Sequence, residues 1–312
     1  MKRHHLLFYF TTLLLLVFAC GKSKDNVIKN NTIPAYSEVP TIAIENYVNR
    51  LFIDLVGREP ADTELTKYVN YLKSNDLNGA SRDSLIHFIQ VDSTPRALGK
   101  YNEAYCIWLY EKAKNRFFLE LGNDADFRAA INTIVSEDGA QDTLDSALSG
   151  FARIEIRKLA RVLNSKDRFC KGEIGINHMM GYMINNANYD EINMQNVNFV
   201  RACFNDLFYR IINDDVLNNY AQALNKNEVA YVFSKPFSNK DEFVNNLIHS
   251  WEFYDGLATW LYLTYLQRKP SSEESFQVIE MLNGNSKKKN FQKIQRKLMI
   301  TDEYAQFKYL GQ

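Results

Sequence analysis

Part of this chain recurs, and that constrains its fold more than any other feature of the sequence. Laid without a gap over residues 200–224, residues 48–72 match at Val48, Phe52, Asp54, Leu55, Arg58, Asp62, Leu65, Tyr68 and Leu72, nine positions of twenty-five. A shift of 210 then pairs Leu51 with Leu261, Arg58 with Arg268, Pro60 with Pro270, Glu64 with Glu274 and Leu72 with Leu282. Recurrence of this kind predicts similar units that bury their faces against one another.

The unit is helical. Ile44, Tyr47, Val48, Leu51, Phe52, Leu55 and Val56 are spaced alternately by three and one, which lays one continuous stripe along an α-helix. The stripe stops at Gly57-Arg58-Glu59-Pro60, because Pro60 cannot continue a helix and biases Glu59 away from helical geometry. Asp62 can cap a second helix carrying Leu65, Tyr68, Val69 and Leu72. The corners are therefore marked by Arg58 and Pro60, by Arg210, and by Arg268 and Pro270; the second copy has Tyr209 and Ile212 where the first has Gly57 and Pro60. Asp54 and Arg58, and again Asp206 and Arg210, stand four apart and suit an i,i+4 ion pair. Each copy also ends on a related helix with Ser93, Ser250 or Thr301 as a cap.

With 13 Gly and 6 Pro, and no Pro between Pro95 and Pro236, the composition favours long helices over a turn-rich sandwich. The expectation is an all-α fold of three helix-corner-helix units, residues 43–100, 196–255 and 256–312, around a non-repeated helical segment, residues 101–195. Within that segment residues 101–110 and 151–163 read as helices, with loops between them and over residues 164–196. Only residues 229–233 look strand-like.

The N-terminus reads as an export signal. Lys2 and Arg3 precede an apolar run of 13 residues from Leu6 to Phe18, too short for a spanning helix of about 20. Val17-Phe18-Ala19-Cys20 resembles the bacterial lipoprotein cleavage box, with Phe18 departing from the usual small residue. That resemblance implies a signal peptide over residues 1–19, lipid on Cys20 and attachment to an outer membrane, with the periplasmic face favoured. Residues 20–42, polar and Asn-rich, read as a tether whose reach is roughly 25 Å.

Residues 47–60, Tyr-Val-Asn-Arg-Leu-Phe-Ile-Asp-Leu-Val-Gly-Arg-Glu-Pro, resemble the opening shared by two families. One is the phycobilisome-linker-like helical repeat of bacterial cell-surface proteins; the other is the helical domain beside cytochrome c domains in planctomycete-type secreted proteins. The resemblance covers about half of the chain. It implies an all-α domain and, for function, an adhesive or scaffolding role.

Chemistry is sparse. Equal numbers of basic and acidic residues, 37 each, argue against a nucleic-acid partner. With Cys20 lipidated, Cys106, Cys170 and Cys203 remain. Cys203 takes a stripe position and is expected to be buried, while Cys106 and Cys170 are either a disulfide or two free thiols. No C-x-x-C, C-x-x-C-H, HExxH or Gly-rich phosphate loop is present, so no metal, haem or other cofactor is expected. Asp124 with Asp126, and Asp190 with Glu191, suit capping or solvation better than acid–base work.

Two functional readings follow from this: a scaffold or accessory subunit binding another envelope protein, or a helical protein that binds or cleaves carbohydrate. For the first, Met179, Met180 and Tyr182 in the non-repeated segment form the candidate partner surface. The alternative is that these methionines fill the core beneath a loop.

Overall fold

The computed structural model describes Tyr36 and residues 39–118, 122–282 and 287–307. The signal segment, Cys20 and most of the tether lie outside the described residues. The fold is all-α. It begins with α1 (Thr41–Val56), α2 (Asp62–Ser74) and α3 (Gly79–Val91), followed by α4 (Tyr101–Phe118), α5 (Asp124–Glu137), α6 (Gly150–Cys170), α7 (Ile176–Ile184) and α8 (Ala187–Ile192). Next come α9 (Asn196–Phe208), α10 (Asp214–Lys226) and α11 (Lys240–Ile248), then α12 (Trp251–Leu266), α13 (Ser272–Leu282), α14 (Lys287–Met299) and α15 (Asp302–Ala305). Among the described residues no helix is long and apolar enough to cross a membrane.

The stripe of α1 is buried at all seven positions read from the sequence. It belongs to one continuous core that runs from Ile44 to Phe307. A small satellite core of Val135, Leu148, Ala152 and Ile156 sits between α5 and α6. The N- and C-terminal helices are tied directly. Arg50 donates to the carbonyls of Tyr265 and Tyr304, each at 2.7 Å, and the Tyr47 hydroxyl donates to the Met299 carbonyl at 3.1 Å.

Three helix ends share one exit geometry. Gly57 after α1, Tyr209 after α9 and Gln267 after α12 all adopt left-handed backbone, with φ of 77°, 52° and 57°. At each, the next helix begins five residues further on, at Asp62, Asp214 and Ser272. Glycine is required at the first of these, where an added Cβ would lie 2.7 Å from Cδ2 of Trp108 in α4. Gly256 solves a different problem: it lets α12 cross the end of α9, where a Cβ would strike the Leu207 carbonyl oxygen.

The strand-like run is a hairpin, β1 (Ala230–Val232) antiparallel to β2 (Lys235–Phe237). Phe233 and Ser234 between them both have positive φ, 49° and 62°, the handedness that a two-residue turn needs to match strand twist. Elsewhere the loop expectations are corrected. Residues 124–137 form α5, opened by an Asn123–Asp126 capping box, and residues 176–192 carry α7 and α8. Ser250 and Thr301 cap α12 and α15 as expected, but Ser93 precedes no helix, since α4 begins at Tyr101. Cys106 and Cys170 form a disulfide joining α4 to α6, and Cys203 is a buried free thiol.

Candidate functional site

The corner arginines are where sequence recurrence becomes geometry. Because the left-handed residue turns the chain off the helix, the following Arg swings away from the i−4 face. It lies over the aromatic ring six residues back. Arg58 sits 5.4 Å from the Phe52 ring centroid, Arg210 5.5 Å from Phe204 and Arg268 5.2 Å from Tyr262. The expected i,i+4 pairs with Asp54 and Asp206 are thereby corrected.

Arg58 instead makes a two-pronged contact with Glu64, at 2.7 and 2.9 Å, and Glu64 accepts the Ala61 N–H at 2.8 Å. Arg268 repeats this with Glu274, at 2.8 and 2.7 Å, and Glu274 accepts the Ser271 N–H at 2.7 Å. Pro60 and Pro270 occupy the turn between, where no backbone donor is needed. In the middle corner Val216 stands where the Glu would be, and the cap passes to Asn213, which accepts from Asp215 and Val216.

These ion pairs set the carboxylates' acidity. Burial pushes Glu64 up, but hydrogen bonds from Arg58, Tyr101 and the Ala61 N–H outweigh it and bring its pKa down to about 2. For Glu274 the Arg268 hydrogen bonds dominate, again giving about 2. Arg268 is also held by Glu303, at 2.6 Å.

Helix α4 connects the corners. Trp108 packs under Gly57. Lys112 donates to the Asp54 carbonyl at 2.8 Å, and Arg116, one turn on, donates to the Asp206 carbonyl at 2.6 Å while lying 3.9 Å from the Tyr209 centroid. Asp54 and Asp206 each accept a tyrosine hydroxyl, from Tyr304 at 2.8 Å and Tyr189 at 2.7 Å. Burial raises the pKa of Asp206 and of the neighbouring Cys203 thiol, and it lowers that of Arg116 to about 10. Asp124, expected as a cap, accepts from Tyr110, Lys114 and Lys166 at 2.7–2.9 Å. Those contacts outweigh burial and hold it at about 2. Asp190 pairs with Lys240 at 2.6 Å. All of these charges tie one helix to another.

The partner surface expected at Met179, Met180 and Tyr182 is corrected. Met179 and Met180 are 0% and 3% exposed. They pack in the main core because α7 is enclosed on nearly every side, burying Ile176, Asn177, Gly181, Met183 and Ile184 as well. Tyr182 is half-buried against the same core and accepts a long hydrogen bond from Arg168, at 3.3 Å. Tyr189 of α8 is buried, whereas Tyr231 of the hairpin is exposed.

A different patch faces solvent. At the α5–α6 tip, over the satellite core, Leu144 is 88% exposed, Phe151 75% and Ile154 47%. Arg153 holds the connecting loop by donating to the carbonyls of Asp145, Ser146 and Leu148, each at 3.0 Å. Arg157 and Arg161 continue the exposed face of α6 beyond Ile154. The sequence signal was present, in apolar residues at 151 and 154 that fall off the buried stripe of Ala152, Ile156 and Leu159.

Among the described residues no group of three or more His, Cys, Asp or Glu is placed to hold a metal ion. No family model matches the chain, and neither any curated protein nor any solved structure matches it.

Proposed function

We propose that this chain is a lipid-anchored scaffold or accessory subunit of a bacterial cell envelope, which binds another envelope protein and performs no catalysis. The observation that carries the reading is the α5–α6 tip. The corner arginines, Lys112, Arg116 and Asp124 tie one helix to another, whereas Leu144 on the loop that Arg153 holds in place, and Phe151 and Ile154 at the start of α6, present apolar surface to water.

The anchor in this reading is Cys20, lipidated on an outer membrane and facing the periplasm. The Cys106–Cys170 disulfide supports an oxidising compartment. The three corners that share a left-handed exit and an Arg over an aromatic ring support three copies of one unit as the scaffold, with α4 bridging the first and the middle corner. Nucleic acid and cofactors play no part. Co-purification from native membranes tests the reading. A partner should be recovered with the wild type and lost from the triple variant Leu144→Ser, Phe151→Ser, Ile154→Ser, whose melting temperature should stay close to that of the wild type. Equal recovery from both would refute it.

One observation favours carbohydrate binding as a second reading. A groove of about 310 Å³ between α2 and α3 is lined by Lys67, Tyr68, Tyr71, Ser84, Leu85 and Phe88, a surface on which a sugar ring could stack. Its lining holds no carboxylate pair, so it supports binding rather than cleavage. Glycan binding that Tyr71→Ala abolishes would favour this reading over the first.

A further inference from the structure

The Cys106–Cys170 disulfide lies on the wall of a cavity. The two helices that it joins, α4 and α6, leave a space of about 350 Å³ between them, lined by both cysteines. That volume falls within the range of small-molecule sites, about 300–1,000 Å³. The space opens to solvent, since Ile107 and Lys171 on its wall are exposed. Lys166 and Lys171 line it against Glu103 and Asp167, so the wall neither repels nor collects a charged molecule.

The two sulfurs are not equivalent. Cys106 stands within α4 on the face that also buries Tyr105, Leu109 and Tyr110, and it is 3% exposed. Cys170 is the last residue of α6, where Gly172 in left-handed backbone, with φ of 77°, turns the chain away, and it is half-buried. A nucleophile in the cavity therefore meets the sulfur of Cys170 in preference to that of Cys106, and thiol–disulfide exchange depends on which sulfur is reached. The carbonyl oxygen of Asn102 stands 3.4 Å from Cys170 Sγ, so a thiol at Cys170 has its acceptor already in place.

We infer that the Cys106–Cys170 disulfide is a thiol-exchange site, at which a small-molecule thiol enters the cavity and its thiolate attacks Cys170 Sγ. The new bond joins the incoming sulfur to Cys170. The Cys106–Cys170 bond breaks, its electron pair leaves on Cys106, and that sulfur takes from water the proton that the incoming thiol released. The thiol is itself the reductant, and the products are a mixed disulfide on Cys170 and a thiol at Cys106. A second thiol that attacks the mixed disulfide at its outer sulfur frees Cys170 and carries away an oxidised thiol pair. The exchange unfastens α4 from α6, which makes this joint sensitive to redox conditions. The inference rests on neither functional reading.

The test uses the folded full-length chain, with the buried free thiol of Cys203 as an internal report of whether the core has opened. The protein is incubated with reduced glutathione, quenched with acid, and mapped by peptide mass spectrometry. Mixed disulfide on Cys170 should exceed that on Cys106 by about tenfold or more. Dithiothreitol, whose second thiol drives the reaction to completion, should release Cys106 and Cys170 to alkylation in urea too dilute to expose Cys203. Mixed disulfide found mainly on Cys106 or equally on both, or a disulfide that opens only in urea that also exposes Cys203, would overturn the inference.

Discussion

Gly57 lies against the Trp108 ring in left-handed backbone, so one residue both ends α1 and admits α4. Gly57→Ala should therefore cost about 1–3 kcal/mol, combining a disfavoured φ with a steric clash. Gln267 has the same exit role with φ of 57°, and no comparable contact makes a side chain costly there. Gln267→Gly should leave stability unchanged or raise it by up to about 1 kcal/mol. Urea denaturation of the two variants checks the contrast in sign.

The two Arg–Glu corners should differ in strength. Arg58 and Glu64 have side chains 25% and 15% exposed, against 38% and 30% for Arg268 and Glu274. Glu64 also accepts the Tyr101 hydroxyl at 2.6 Å. Glu64→Ala should cost about 1–3 kcal/mol, because it strands a half-buried guanidinium and a tyrosine hydroxyl. Glu274→Ala, more screened by water, should cost about 1 kcal/mol or less. Chemical denaturation of each variant measures the difference.

Acid should weaken the fold through the same groups. The pKa values of Glu64, Glu274 and Asp124 fall to about 2 in the folded protein, from 4.5, 4.5 and 3.8. Carboxyls with depressed pKa contribute stability that is present above their unfolded values and is lost as pH falls through the folded ones. The melting temperature should thus drop between pH 4.5 and about 2. A Glu64→Gln variant should show a shallower drop, measured by thermal melts across that range.

Much of this architecture was legible because an amphipathic stripe leaves a strong period. The helices α1, α2, α4 and α6 follow from the sequence, and the end of α1 at a corner follows from Gly57-Arg58-Glu59-Pro60. Helix α5 was hidden because it buries only Phe127 and Val135, although its Asn123-x-x-Asp126 capping box is visible in the sequence. Helix α7 was hidden for the opposite reason: burial on nearly every side erases the period. The same cause misplaced Met179 and Met180. The i,i+4 reading of Asp54 and Arg58 failed because it carried helical geometry through a left-handed residue, and the spacing shared by Arg58–Glu64 and Arg268–Glu274 held the correct partner. The disulfide joins residues with a sequence separation of 64, which no local pattern encodes.

Core placement of α7 has a direct consequence. Met179→Ser should lower stability by about 2–5 kcal/mol, as should Leu51→Ala in the buried stripe of α1. Replacing the Cys106–Cys170 pair with serines should cost about 2–4 kcal/mol. Thermal and urea unfolding of each variant against the wild type gives these values.

In-cell photo-crosslinking tests most directly whether the α5–α6 tip meets another envelope protein. A benzoylphenylalanine placed at Phe151 should yield a discrete adduct with one envelope protein on irradiation. The same probe at the exposed Glu280 of α13 should not yield that adduct. An absence of adduct from Phe151, or the same adduct from both positions, would contradict the account.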